Sequence, residues 1–587
     1  MKKSLVEITL LILYSTDVLA QNQKMSPDFG SRDPHSRVNV IVQYKSPETA
    51  SQRQRMLAGG AVVLTELQLI NGVAYSIPAA ELGEMEADDE VVYISSDRKV
   101  SGLLDNTAGA VKVQAAWQAG WSGSGIGVAV IDSGISNHDD LVSGGNRIVY
   151  REDFTGSVPL TLQPGGAVFF GGSTDDLYGH GEHVAGIIAG NGQDSNCQSC
   201  FRHFIGMAPT ANLLDLRVLD SSGQSSDSSV IAAIDRAIQL KDILNVRVIN
   251  LSLGRPVYES YLQDPLCQAV EAAWKAGIVV VVAAGNFGRD NFAGNNGYGT
   301  ITSPGNDPYV ITVGAMKSMG TPSRADDLIA SYSSKGPTAI DHIIKPDLLA
   351  PGNRVVSLRA PGATLESFYP QNNVPLNYYQ CTWLNAASPS YFVLSGTSMA
   401  APVVSGGVAL LLQAHPDLSP DQVKARLMRT AYKTFPQTST AYDPTTGERY
   451  TSEYDIFTVG SGYLDIEEAL EDTTVFSGTA LSPHAVFHPS NAPTQALIVC
   501  DTSSICAGQS VSGTQSVWGT QSVWGTQSIW GTQSIWGTQS IWGTQSVWGT
   551  QSIWGTQSIW GTQAAWSSLM NYAQFVELTE IAVQGEN

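Results

Sequence analysis

Positive charge is missing from the C-terminal part of this chain. No lysine or arginine follows Arg449, and residues 502–576 carry no charge of either sign. Across all 587 residues the formal net charge is −21, which argues against nucleic acid or an anionic membrane surface as a partner. No stretch reaches the roughly 18 to 20 apolar residues that a membrane span requires. Cysteine is scarce, at six residues: Cys197, Cys200, Cys267, Cys381, Cys500 and Cys506. No second Cys-x-x-Cys pair follows at zinc spacing, and the His-Glu-x-x-His arrangement of zinc hydrolases is absent. An Asp-rich loop at calcium-binding spacing is also lacking.

What is present begins with an N-terminal export pattern. Lys2-Lys3 precede a short apolar run, residues 8–14, and Val18-Leu19-Ala20 stand before Gln21. Residues 1–20 therefore read as a secretory signal, although Glu7 and Asp17 depart from the usual pattern, and a secreted, extracellular protein is expected. In that compartment the even cysteine set reads as up to three disulfides. Cys197–Cys200 and Cys500–Cys506 are the local pairings, but six cysteines allow fifteen connectivities and the sequence does not choose.

The 43% hydrophobic content suffices for a large core. Residues 37–98 alternate short apolar strands with two helical stretches in the order βαββαβ, as a small α+β open-faced sandwich would. Residues 110–471 change to apolar strands separated by amphipathic helices, the mark of a three-layer α/β fold: a parallel sheet with helices on both faces. Strands are expected over 126–132, 211–219, 246–252, 278–284 and 310–315, and helices over 229–239, 262–276, 398–414 and 419–430. Ser419, Pro420 and Gln422 supply an N-cap, a first-position proline and a capping-box partner for the last of these.

Residues 472–512 read as a linker. Residues 513–566 hold a hexapeptide repeat, Gly-Thr-Gln-Ser-(Val/Ile)-Trp, whose ninth copy is degenerate and which contains nine of the thirteen tryptophans. A period of six is a multiple of two, so an extended chain shows the same alternation in each copy. A β-solenoid also suits hexads, and a low-complexity tail is the plain alternative. Residues 567–587 complete the chain.

Three motifs carry the chemistry. Val128-Ala-Val-Ile-Asp132 is an apolar strand that ends in a carboxylate. Gly179-His180-Gly-Glu-His183 starts a helix with small residues around an imidazole, and Gly396-Thr-Ser398-Met-Ala-Ala-Pro402 places a serine at the start of a long apolar helix. A carboxylate, a base and a hydroxyl nucleophile are the parts of an acyl-transfer site.

In this order the motifs resemble the subtilisin family of serine peptidases. The resemblance spans about residues 115–469 and takes in Val248-Ile-Asn-Leu-Ser-Leu-Gly254, Ala283-Ala-Gly-Asn286, Ser333-Ser-Lys-Gly-Pro337 and Lys345-Pro-Asp-Leu-Leu-Ala-Pro-Gly352. It implies a secreted serine endopeptidase acting on protein and peptide substrates. Asp132, His180 and Ser398 would be the triad, and Asn286 an oxyanion donor. Ser252, Leu253 and Gly254 would pair with an extended substrate, opposite a pocket wall of Ala283, Ala284 and Gly285. Residues 37–98 would be an inhibitory propeptide, removed by a self-cut within residues 97–113, a segment expected to be exposed. No cofactor is required for such chemistry; the family often carries structural calcium, for which no ligands can be placed here.

Two departures stand out. Glu182 occupies a position where the family has a small hydroxylated residue, and residues 287–301 are longer than expected and should reshape the specificity pocket. His183 reads as a buried helix residue. The rival readings are a metallopeptidase and a surface- or polymer-binding protein that uses its tryptophan repeats, with the peptidase serving only maturation. Truncation near Ala507 is expected to leave small-peptide turnover little changed.

Overall fold

The computed structural model describes residues 24–25, 36–67, 71–96, 103–156, 174–291, 295–443, 446–487, 496–499 and 585–586. The signal reading, the repeats and Cys500 and Cys506 lie outside the described residues. The chain divides into two compact units, one up to Val100 and one from Ser101 onward.

The first unit realises the βαββαβ pattern. Strands β1 (Arg37–Tyr44), β2 (Val62–Leu67), β3 (Gly72–Pro78) and β4 (Val91–Ser96) form an antiparallel sheet in the order β2-β3-β1-β4. Its period-two alternation buries Val38, Val40, Val42, Tyr75 and Ile77. Helix α1 (Ala50–Ala58) starts at a capping box in which Thr49 and Gln52 satisfy each other's backbone N–H groups. Helix α2 (Leu82–Glu86) turns Leu82 and Met85 into the same core.

In the second unit, strands β5 (Gly127–Asp132), β6 (Ile148–Asp153), β7 (Asn212–Arg217), β8 (Val246–Leu251), β9 (Val279–Ala283) and β10 (Ile311–Lys317) run parallel. Every residue of β5, β9 and β10 is buried, and strands covered on both faces require a helical layer on each side. Helix α3 (Gly181–Ala189) packs against α6 (Thr397–Ala414), while α4 (Asp227–Leu244) packs against α5 (Pro265–Lys275). The sheet is not wholly parallel as expected: the two-residue strand β11 (Leu328–Ile329) pairs antiparallel with Met316 and Lys317 at the edge, making it mixed. A strand of only two residues carries no alternation that a sequence reading can detect.

Helix α7 (Pro420–Thr430) begins at the expected Ser419–Gln422 capping box. Among the described residues only α6 is long and apolar enough to cross a membrane, and 83% of it is buried inside the domain. One of the expected disulfides is formed, Cys197–Cys200, whereas Cys267 is a buried free thiol and Cys381 an exposed one.

Packing continues past Glu471, where the domain was expected to end. The buried Asp347 carboxylate pairs with Lys345 at 2.6 Å and Lys424 at 3.4 Å, and it accepts the Thr312 N–H at 2.8 Å and the Ser482 hydroxyl at 2.5 Å. The Lys424 ammonium in turn donates to Ser482 at 2.9 Å. Ser482, beyond that expected boundary, thus helps satisfy buried charges of the domain, which are costly to leave unpaired.

Candidate active site

Asp132 ends β5 at the C-terminal edge of the sheet, where parallel strands gather their sites. It is 1% exposed. Its Oδ1 accepts the Ser133 N–H at 2.8 Å and faces His180 Nδ1 at 2.8 Å. His180 is the residue before α3, and the helix can begin there only with glycine. A Cβ on Gly181 would lie 2.3 Å from the Gly134 carbonyl oxygen.

A carboxylate that the sequence reading missed, Asp176, builds the turn behind this pair. It accepts the Ser133 hydroxyl at 2.8 Å and the N–H groups of Gly179 at 2.7 Å, Tyr178 at 3.1 Å and Glu182 at 2.8 Å. Burial alone would depress the His180 pKa. The charge and hydrogen bond of Asp132, with Asp176 beyond, outweigh that and hold the imidazole above its ordinary value.

Glu182 is fully buried, with Oε2 accepting the Ser136 N–H at 2.5 Å. Burial, reinforced by the Asp176 charge, pushes its carboxyl well above the usual range. Nearby Asp215 is pushed up to about 8 by burial, which the Arg151 guanidinium 3.1 Å away offsets only in part. His183 is lowered to about 3, chiefly by burial, and its Nε2 faces the Val355 and Phe392 carbonyls at 3.1 and 3.2 Å. It is the buried helix residue expected.

Ser398 is the second residue of α6, among the first-turn N–H groups that lack helical partners. Its hydrogen bonds go to Ser252 and not to His180. Its hydroxyl donates instead to the Ser252 carbonyl at 3.1 Å, a strand-end acceptor just past β8, while the Ser252 hydroxyl donates to the Ser398 carbonyl at 2.8 Å.

Asn286 lies three residues beyond β9. Its Oδ1 accepts both the Thr397 N–H at 2.8 Å and the Thr397 hydroxyl at 3.0 Å. An acceptor end clamped this way turns the amide nitrogen outward as a donor. Thr397 is therefore a second residue the sequence reading left unassigned; its place beside Ser398 was the available signal.

The cleft residues divide by environment. Ser252 is buried and also accepts a bond from Asn250 at 2.9 Å, so it braces α6 as much as it lines a cleft; Leu253 is half-buried and Gly254 exposed. Ala283 and Ala284 are buried. The Ala284 N–H and carbonyl are engaged by Val313 and Thr302, and those of Gly285 by Thr397 and Ser334. That wall offers surface rather than backbone pairing.

Among the described residues one group has donors close enough for a metal: His138, Asp140 and Asp194. Their atoms are already engaged. The Asp140 carboxylate accepts the Asp194 N–H and the Tyr391 hydroxyl, Asp194 accepts the Ser390 hydroxyl, and His138 Nδ1 accepts the Asp140 N–H. The cluster reads as a closed hydrogen-bond network.

Comparison with known proteins identifies the family. A profile described as the subtilase family matches residues 123–458. Serine protease AprX of Bacillus subtilis is 38% identical over 343 residues, covering 57% of this chain and 68% of AprX. Subtilisin E of the same organism is 31% identical over 388 residues, 65% of this chain and 81% of that protein. An extracellular serine proteinase of Thermus sp. is 29% identical over 420 residues, 69% and 81% respectively. With its three-layer α/β domain and mixed sheet, the chain belongs to the subtilase family and is a subtilisin-like serine endopeptidase.

Proposed function

We propose that this endopeptidase is secreted and acts through an acyl-enzyme formed on Ser398. The Ser398 hydroxyl turns from the Ser252 carbonyl towards His180. As its oxygen bonds to the scissile carbonyl carbon, its proton passes to the imidazole; the same proton then goes to the leaving amine as the C–N bond breaks. Water repeats the sequence and frees the acid product. Asp132 fixes the tautomer and stabilises the imidazolium. The Asn286 amide and the Ser398 N–H receive the negative charge on the tetrahedral oxygen. The reading rests on one observation above all, the Asp132–His180 bond at 2.8 Å, with the clamped Asn286 beside Ser398 in support.

Because the base works neutral, the raised His180 pKa sets the sign of the pH dependence. Plots of kcat/KM against pH should rise through an apparent pKa above about 6.5. Asp132→Asn should move that limb to lower pH while lowering the plateau. An unmoved limb would mean that His180 does not feel Asp132.

Residues 37–98 are read as a propeptide that the enzyme removes itself. From Asn106 onward the expected cleavage segment is buried in the second unit, with Asn106 and Thr107 each 1% exposed. Their burial supports a cut upstream of them, within residues 97–105. Expression of the full chain should yield a mature N-terminus in that window by N-terminal sequencing, and Ser398→Ala should retain the precursor. The same N-terminus in both proteins would assign the cut to another peptidase. The Thermus relative, extracellular by its name, and the apolar run at residues 8–14 support export.

A further inference from the structure

Residues 585 and 586 follow the repeats in sequence yet are built into the peptidase domain. Glu586 is 4% exposed. Its carboxylate accepts the Arg289 guanidinium at 2.9 Å, the Ser331 N–H at 2.6 Å and the Ser331 hydroxyl at 2.7 Å, with the Lys317 ammonium at 3.8 Å. Its backbone exchanges two bonds with the Asn353 side chain, at 2.8 and 2.9 Å. Arg289 is itself buried and reaches Asp443 at 2.7 Å. Gly585 adopts φ +78°, and a Cβ there would lie 2.3 Å from Ser395 Oγ, so the chain passes closer than a side chain permits.

These contacts converge on the two loops that carry the reacting groups. Arg289 is three residues beyond Asn286, and its Nε donates to Ser331 Oγ at 2.6 Å, alongside bonds from Phe287 N–H to Ser334 Oγ and Gly288 N–H to the Tyr332 carbonyl. Asn353 lies between Gly352, whose carbonyl accepts the Gly396 N–H at 2.8 Å, and Arg354, whose N–H donates to Ser395 Oγ at 2.8 Å. One carboxylate thus ties the segment following Asn286 to the segment preceding Ser398.

We propose that Gly585-Glu586 is an intramolecular latch, a carboxylate plug in a buried basic pocket, and that Glu586 is a positioning residue for the oxyanion donor and the nucleophile. The proposal rests on the assignment of Asn286 and Ser398 given above. It also changes the expected effect of truncation: loss of the chain beyond Ala507 removes the latch, so small-peptide turnover falls although no reacting group is deleted.

The test uses the full chain with Glu586→Ala, Glu586→Gln, Asn286→Ala and the Glu586→Ala/Asn286→Ala double variant. Rates on a small chromogenic peptide are normalised to active sites titrated with a serine-directed covalent inhibitor, so that unfolded protein does not count. Glu586→Ala should lower kcat about 5- to 30-fold with KM within about twofold, and Glu586→Gln, which retains an acceptor for Ser331, should fall between it and wild type. In the Asn286→Ala background the same change should cost less than about threefold. Unchanged kcat per titrated site in both Glu586 variants, whatever happens to thermal stability, overturns the latch. Full additivity in the double variant overturns the route through Asn286. Should Asn286→Ala alone leave kcat intact while Glu586→Ala lowers it, the oxyanion assignment fails and the latch stands through Ser398.

Discussion

Ser398→Ala is expected to lower kcat by about 10⁶-fold, the scale seen in subtilisins when the serine or histidine is removed. His180→Ala should cost about as much, because a hydroxyl without its base and a base without its hydroxyl are equally idle. Asp132→Ala should cost less, about 10⁴-fold, since it orients and stabilises the imidazole without touching substrate. The double variant Ser398→Ala/His180→Ala should be little worse than either single change. Turnover on a chromogenic peptide, corrected for contaminating peptidase with a serine-directed inhibitor, measures all four. Near-normal turnover in Ser398→Ala would remove the nucleophile assignment.

Asn286→Ala is expected to lower kcat by about 10²- to 10³-fold, equivalent to about 3–4 kcal/mol of transition-state stabilisation, a scale again known from a subtilisin. KM should change little, because the donor is aimed at charge that develops only as the tetrahedral species forms. Alanine also deletes the acceptor that holds the Thr397 N–H and hydroxyl, so a control is required. Asn286→Asp keeps both Thr397 bonds but replaces the donor with an anion. A loss at least as large in the aspartate variant assigns the effect to the missing donor. Near-wild-type kcat in that variant would assign Asn286 to holding Thr397 alone.

The elements that deliver the site were legible because their signals are local. An apolar run closed by Asp132 makes a buried strand with a carboxylate at its end, and Ser419-Pro420 with Gln422 opens a helix by capping chemistry alone. Thr397 and Asp176 were not assigned, for their roles depend on partners brought close by the fold. The clamp on Asn286 spans 111 positions in sequence. The partner of the Ser398 hydroxyl was not legible for a similar reason: the Ser252 carbonyl is 146 positions away. The contacts of Ser482 and Glu586 were not legible because both lie in stretches of weak periodicity, and what holds them is buried charge. Asn106 and Thr107 lie in the segment 97–113, which looked exposed from composition, yet both are buried.

The buried carboxyls of Glu182 and Asp215 set proton binding by the fold against the proton loss that the proposed chemistry requires. Unfolded, Glu182 and Asp215 would release their protons near pH 4; folded, burial makes both hold on, Asp215 up to about 8. The sign follows from linkage. Their contribution to stability is fully present below the unfolded pKa values and is lost as pH rises through the folded ones, by up to about 1.4 kcal/mol per pH unit for each group. His180 runs the other way, since only its deprotonated form can accept the Ser398 proton. Raising the pH would therefore supply the proposed base and at the same time withdraw protons that favour the folded domain.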